Sequence, residues 1–315
     1  MEEHTAGNGC ATRGFVYNVG MSMTKINFLL SVIIILIVAA AEAVPQSLVE
    51  QWRGISAEAR GRVGVMAEIV ESGETAELNG AEHFPMQSVY KLPISMTVLQ
   101  LVDDGKLTLE KSVEVRPTDF IPADKRSPLR DQNPGGTRKT IRELIRYALV
   151  ESDGTASDIL LRETGGPAAV MKYLQSQGVG DLIVAHTEMQ LTWKTQYEDW
   201  CTPKAAVKLL MNLQNGIGIS DASRALVMID MQESKTGATR ILSLLPKGTV
   251  VADKTGSSGK QDGRAAATND IGLVTLPDGR HMAIAIFVSD SEAGDAVRDS
   301  VIAKIARAAW DEWVR

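Results

Sequence analysis

Gln87-Ser88-Val89-Tyr90-Lys91 sets a serine and a lysine three residues apart. On a helix that spacing puts both side chains on one face, so the amine reaches the hydroxyl. A partly desolvated lysine loses basicity and can then accept the hydroxyl proton. A serine at a helix start also lies at the positive end of the dipole, which favours an oxyanion. The S-x-x-K pattern is weak alone, because Ser22-Met23-Thr24-Lys25 and Ser257-Ser258-Gly259-Lys260 also match it. The first of these lies in an apolar leader, and the glycine of the second argues against a helix. Order adds specificity. Ser152-Asp153-Gly154 follows between two expected helices, and Lys254-Thr255-Gly256 follows at the end of an expected strand. A strand edge can hold an extended ligand segment as an added strand would. Lys235-Thr236-Gly237 competes for the last role but follows turn-like residues. Other constellations are missing: there is no H-E-x-x-H, no paired C-x-x-C and no G-x-S-x-G. His83, His186 and His281 show no evident acidic partner, which leaves Lys or Glu as the expected base. No metal and no cofactor is expected.

The elements that must position these residues follow from periodicity and turn signals. Arg62–Val70 alternates as a strand, and Ala76–Asn79 pairs back as a hairpin. A helix is expected over Ser88–Leu101, with Pro93 early enough to be tolerated. Thr140–Glu151 forms another, opened by a capping box of Thr140 and Glu143. Ser157–Glu163 and Pro203–Asn212 are further helices, with Gly165-Gly166-Pro167 as a breaker. Strands return at Thr249–Lys254, Asp270–Leu276 and His281–Asp290, and an amphipathic helix closes the chain from Ala293. Helices thus fill the middle and strands both ends. The expected fold is α/β (α+β): an antiparallel sheet from both chain ends, flanked by helices, plus an all-helical lobe. The expected site lies between them. The expected domains are 44–86 with 236–315, and 87–235.

Lys25, the apolar run to Val38 and Ala41-Glu42-Ala43 read as a signal peptide cleaved near Ala43, so residues 1–43 are a presequence and the mature chain is periplasmic or secreted. The apolar run is too short for a membrane span. Cys201 is the one cysteine of the mature chain, so no internal disulfide forms, and an inert semi-buried thiol is expected. The apolar fraction of 44% and the charged fraction of 23% describe a well-cored globular protein. A net charge of −6 without a basic run argues against nucleic acid. A small-molecule substrate and a monomer are expected.

Taken in order, these motifs resemble the class A serine β-lactamases over nearly all of the mature sequence. Thr187-Glu188-Met189-Gln190-Leu191 adds to the match, and Asp158, where many members carry Asn, is similar to the PER-type extended-spectrum subgroup. The resemblance implies that Ser88 attacks the lactam carbonyl while Lys91, and Glu188 through a water, take its proton. Ser152 then relays a proton to the departing nitrogen, and Lys254 holds Ser152 and the substrate carboxylate. It implies an oxyanion hole from the N–H groups of Ser88 and Ser257, and substrate contacts from Gly154, Thr255, Gly256, Ser257 and Arg240. Glu188, in a long irregular stretch from Ala185 to Trp200, separates a hydrolase from a trapped ester. Gly154 and Thr192 depart from the family, which usually has Asn at both. β-Lactam hydrolysis, extending to cephalosporins, is the expected activity. A penicillin-binding D-Ala-D-Ala peptidase, a non-hydrolytic β-lactam sensor and a general serine esterase stay open.

Overall fold

The computed structural model describes residues 47–314. The presequence and its expected cleavage near Ala43 lie outside the described residues. In chain order the elements are α1 (Leu48–Ser56), β1 (Arg62–Ile69), β2 (Thr75–Leu78), β3 (Phe84–Pro85), α2 (Lys91–Asp103), β4 (Ser112–Val115), α3 (Pro128–Gln132) and β5 (Thr137–Thr140). Next come α4 (Ile141–Val150), α5 (Gly154–Thr164), α6 (Pro167–Ser176), β6 (Trp200–Cys201), α7 (Pro203–Gln214) and α8 (Asp221–Gln232). The chain ends with β7 (Val251–Ser257), β8 (Lys260–Gln261), β9 (Arg264–Thr275), β10 (His281–Ser291) and α9 (Asp295–Trp313).

Both chain ends build one sheet. Its order is β2-β1-β10-β9-β7, with β8 pairing β9, and every pairing is antiparallel. Strand alternation sends successive side chains to opposite faces. Val63, Val65 and Ile69 of β1 and Ile284 and Ile286 of β10 pack with Trp52 of α1 and Ile302 and Ile305 of α9. Met66, Ala283, Ala285 and Phe287 face the other way, into a core with α2 and α4–α8. The sheet is therefore covered on both faces, which is why its long strands are apolar almost without interruption.

Local signals account for several helix starts. Thr140 and Glu143 form the expected capping box, with Glu143 N to Thr140 Oγ1 at 3.2 Å and Thr140 N to Glu143 Oε2 at 2.8 Å. Among the described residues four helices were not foreseen, α1, α3, α6 and α8, and the middle of the chain is not all-helical as expected, because β4 pairs β5 there and β6 pairs β3. Gly165-Gly166-Pro167 does end α5, but Pro167 also opens α6, since proline fits the first turn where no N–H is needed. Ser220 caps α8 through the N–H of Ser223. Helix α5 begins three residues before the expected Ser157, because the Asp153 carboxylate accepts from Ala156 N at 2.8 Å.

Candidate active site

Segments that are distant in the chain meet at a cavity of about 550 Å³, and three of them carry the motifs. Ser88 and Lys91 come from the first. The expected helix from Ser88 is corrected here: Gln87–Tyr90 is a 3₁₀ turn, and α2 starts at Lys91. The tighter turn eclipses side chains three apart. Lys91 Nζ accordingly lies 2.7 Å from Ser88 Oγ. The turn is held from behind, because Asn269 of β9 donates to Pro85 O at 2.8 Å and to Met86 O at 3.1 Å. No motif pointed to Asn269, since its role depends on a contact across most of the chain.

Ser152 comes from the second segment. It adopts a left-handed backbone with φ of 56° between α4 and α5. Lys91 Nζ donates to its carbonyl at 3.0 Å, and Lys254 Nζ donates to its Oγ at 3.0 Å. Asp153, the middle residue of this motif, faces away from the cavity. It joins Ala156 N to Leu129 N and so ties α5 to α3.

Strand β7 is the third. Lys254-Thr255-Gly256 lies inside it, not at its end, because the ladder with β9 continues to Ser257. Lys235-Thr236-Gly237 lies in no strand, although Thr236 lines the cavity and pairs with Thr255, oxygen to oxygen at 2.6 Å. A Cβ on Gly256 would sit 2.3 Å from Met86 O and 3.3 Å from Ser88 N. Glycine is thus what lets β7 approach the backbone of Ser88. Arg240 is not a solvated surface arginine. It is 8% exposed and donates to Asn269 O at 2.8 Å, to Ser257 Oγ at 2.6 Å and to Asp299 at 2.8 Å. It braces the end of β7 from outside the cavity wall.

Glu188 closes the cavity from the loop side. Its Oε2 is 3.2 Å from Lys91 Nζ and accepts from Tyr90 OH at 2.8 Å. Lys91 therefore stands between hydroxyl and carboxylate. Asp158 of α5 holds the loop by accepting from Glu188 N at 2.6 Å and Met189 N at 2.9 Å. Gly154 does not contribute a cavity wall. A Cβ there would meet Ile121 Cδ1 at 2.4 Å and Glu188 Cγ at 2.7 Å, so the start of α5 packs flush beneath Glu188. The Thr192 hydroxyl is used within its loop, bonded to Thr195 Oγ1 at 3.0 Å and to Thr195 N at 3.1 Å.

Burial and charge set the protonation states. Burial pushes the Glu188 carboxyl up, but the Lys91 ammonium, the Tyr90 hydroxyl and Lys125 outweigh it, so Glu188 stays below its ordinary value and ionised at neutral pH. Burial, then the nearby Lys91, lowers Lys254 to about 7. Behind Lys254, burial and then the neighbouring Asp253 push the Asp270 carboxyl well above its ordinary value. The histidines are a second correction, because two do have acidic partners: His186 Nδ1 meets Asp199 at 2.7 Å, and His281 Nδ1 meets Glu71 at 2.7 Å. His83 stacks on Trp200, with ring centroids 3.5 Å apart. None of the three lines the cavity. Cys201 is fully buried and burial raises its thiol, so it is inert.

Comparison with known proteins agrees over the same span. A family model described as the beta-lactamase enzyme family matches residues 47–313. The chain is 38% identical over 257 residues to beta-lactamase VEB-1 of Pseudomonas aeruginosa, covering 80% of this chain and 86% of that protein. It is 37% identical over 266 residues to the extended-spectrum beta-lactamase PER-1 of the same organism, covering 84% and 86%. The crystal structure of a beta-lactamase from Chitinophaga pinensis superposes with a TM-score of 0.83 at 41% identity, covering 85% of this chain and 100% of that one.

Proposed function

The chain belongs to the beta-lactamase enzyme family, and from that premise we propose how its residues divide the work. As a class A enzyme it hydrolyses the β-lactam amide bond through a serine acyl-enzyme and so confers β-lactam resistance. In our reading Ser88 Oγ attacks the lactam carbonyl, and its proton leaves through a water to the ionised Glu188, or to Lys91 once Lys91 has passed a proton to Glu188. The N–H groups of Ser88 and Ser257 receive the oxyanion. The carbon–nitrogen bond then breaks, and the Ser152 hydroxyl supplies the proton to nitrogen, with Lys254 behind it. Water next attacks the ester while Glu188 takes its proton, releasing the ring-opened acid and free Ser88. Thr255 and Ser257 line the cavity beside Lys254, where a substrate carboxylate would be held. Arg240 acts on that carboxylate through Ser257. Gly154 and Gly256 let their neighbours approach closely, and we keep both as substrate contacts through their backbone.

One observation carries the reading: Lys91 Nζ lies 2.7 Å from Ser88 Oγ and 3.2 Å from Glu188 Oε2, so one ammonium bridges nucleophile and base. Glu188 also favours hydrolysis over the trapped ester of a peptidase or sensor. PER-1 is named an extended-spectrum enzyme, and we extend that breadth, cephalosporins included, to this chain. Among the described residues no helix is long and apolar enough to cross a membrane. We place the mature protein in the periplasm or medium, as a monomer acting on a small molecule. We keep the division into 44–86 with 236–315 and 87–235, supported by sheet strands drawn from both chain ends.

The test is hydrolysis of a chromogenic cephalosporin, with acyl-enzyme followed by mass spectrometry. Ser88→Ala should form no covalent adduct. Glu188→Gln should acylate but release its ester about 10²–10⁴-fold more slowly. Unchanged release would remove Glu188 from the role given to it.

A further inference from the structure

We infer that Lys125 is a positioning residue for deacylation, whose ammonium holds the Glu188 turn closed over the site where position 154 offers no side chain to do so. The inference rests on Glu188 being the deacylating base. Residues Thr187–Leu191 make a single helix-like turn, with Gln190 N donating to Thr187 O at 3.0 Å and Leu191 N to Thr187 O at 3.2 Å. Such a turn leaves N–H groups unpaired at one end and carbonyls at the other. Asp158 takes the N–H end, through Glu188 N and Met189 N. Lys125 takes the carbonyl end, donating to Leu191 O at 2.7 Å and to Glu188 O, which also accepts from Leu191 N at 3.3 Å. An anion at the N–H end and a cation at the carbonyl end both match the dipole of the turn.

Lys125 extends from a fixed base. Its own N–H bonds Pro122 O at 3.0 Å, Ile121 N bonds Thr155 Oγ1 at 3.3 Å, and Gly154 N bonds Arg126 O at 3.0 Å. The segment before α3 is thus tied to α5, and its lysine bridges to the loop. Gly154 cannot share this work. It has no side chain, and a Cβ there would displace Ile121 or Glu188 itself. The charged or titratable groups facing Glu188 are Tyr90 and Lys91 from the nucleophile turn and α2, Asp158 from α5 and Lys125 from the loop before α3. Lys125 is the cation among them that grips the loop backbone.

The experiment measures acylation and deacylation separately on a chromogenic cephalosporin, by rapid quench and mass spectrometry, for Lys125→Met, Lys125→Arg and Glu188→Gln. Loosening the turn by about an ångström should slow deacylation about 10–100-fold. Lys125→Met should therefore accumulate acyl-enzyme while its acylation rate changes little, and Lys125→Arg should recover most of the loss. Should Lys125→Met not fold, Lys125→Gln, which keeps one donor without charge, carries the same expectation. Deacylation at the wild-type rate, or equal loss of both steps without recovery in the arginine variant, overturns the inference. If Glu188→Gln stalls as an ester and Lys125→Met does not, only the Lys125 role fails. If Glu188→Gln deacylates normally, the base assignment fails and the Lys125 role falls with it.

Discussion

Lys254 is fully buried, and its charge is opposed by burial and by Lys91 on one side and favoured by Asp253 and Asp270 on the other. The balance leaves it at about 7, so the empty site loses this cation as pH rises through neutrality. An anionic substrate feels that loss first in binding. We expect kcat/KM for a carboxylate-bearing β-lactam to fall above about pH 7, since this quantity reports ionisations of the free enzyme. Lys254→Arg keeps its charge across the range. It should lower activity overall yet remove that alkaline limb, and a pH profile of both proteins checks the point. Arg240 shows a different residue-scale lesson. A planar cation near the carboxylate site was expected, but its fork is used on Asn269 O, Ser257 Oγ and Asp299, so it shapes β7 instead of facing the cavity.

At the scale of elements, α5 is the hub of the site. Asp153 caps it, Ser152 precedes it, Gly154 begins it, and Asp158 on its first turns carries the Glu188 loop. Burial raises the Asp158 carboxyl from 3.8 to about 6, partly offset by the two backbone N–H groups it accepts. The sign for stability follows from proton counting. Between these two pH values the unfolded chain has released the proton and the folded chain still holds it, so stability falls as pH rises through the window. Asp158→Asn removes this titration. Relative to wild type the variant should gain about 2–3 kcal/mol between pH 4 and 6 and nothing further above, on top of a constant loss for the second acceptor. Thermal melts across that range measure it.

For the whole molecule, the sheet separates catalytic packing from purely structural packing. Trp52 is fully buried with the α1–α9 cluster on the face away from the Ser88 turn, and its Nε1 bonds Ile305 O at 3.1 Å. Trp52→Ala should cost about 3–5 kcal/mol through the cavity it leaves. For a chain of this size that lowers Tm by roughly 10 °C. Per folded molecule kcat/KM should stay at the wild-type value. A large drop in kcat/KM at a temperature where the variant is fully folded would show that the two faces are coupled.

Residue type and order alone determined the Ser88–Lys91 pairing on one local face, the capping box at Thr140, the apolar strands from both chain ends and the family resemblance, because each rests on neighbours within a few positions or on motif sequence. Helices hidden by their own punctuation, such as α6 behind Pro167, were not legible, since proline ends one helix and opens another with equal ease. Only the tertiary structure decided that Asn269 grips the nucleophile turn, that His186 meets Asp199 outside the cavity, that Gly154 lies flush under Glu188 and that Lys125 spans to its loop. These are contacts between segments brought together by the sheet and α5. Their energies depend on separation in space, which local pattern does not encode.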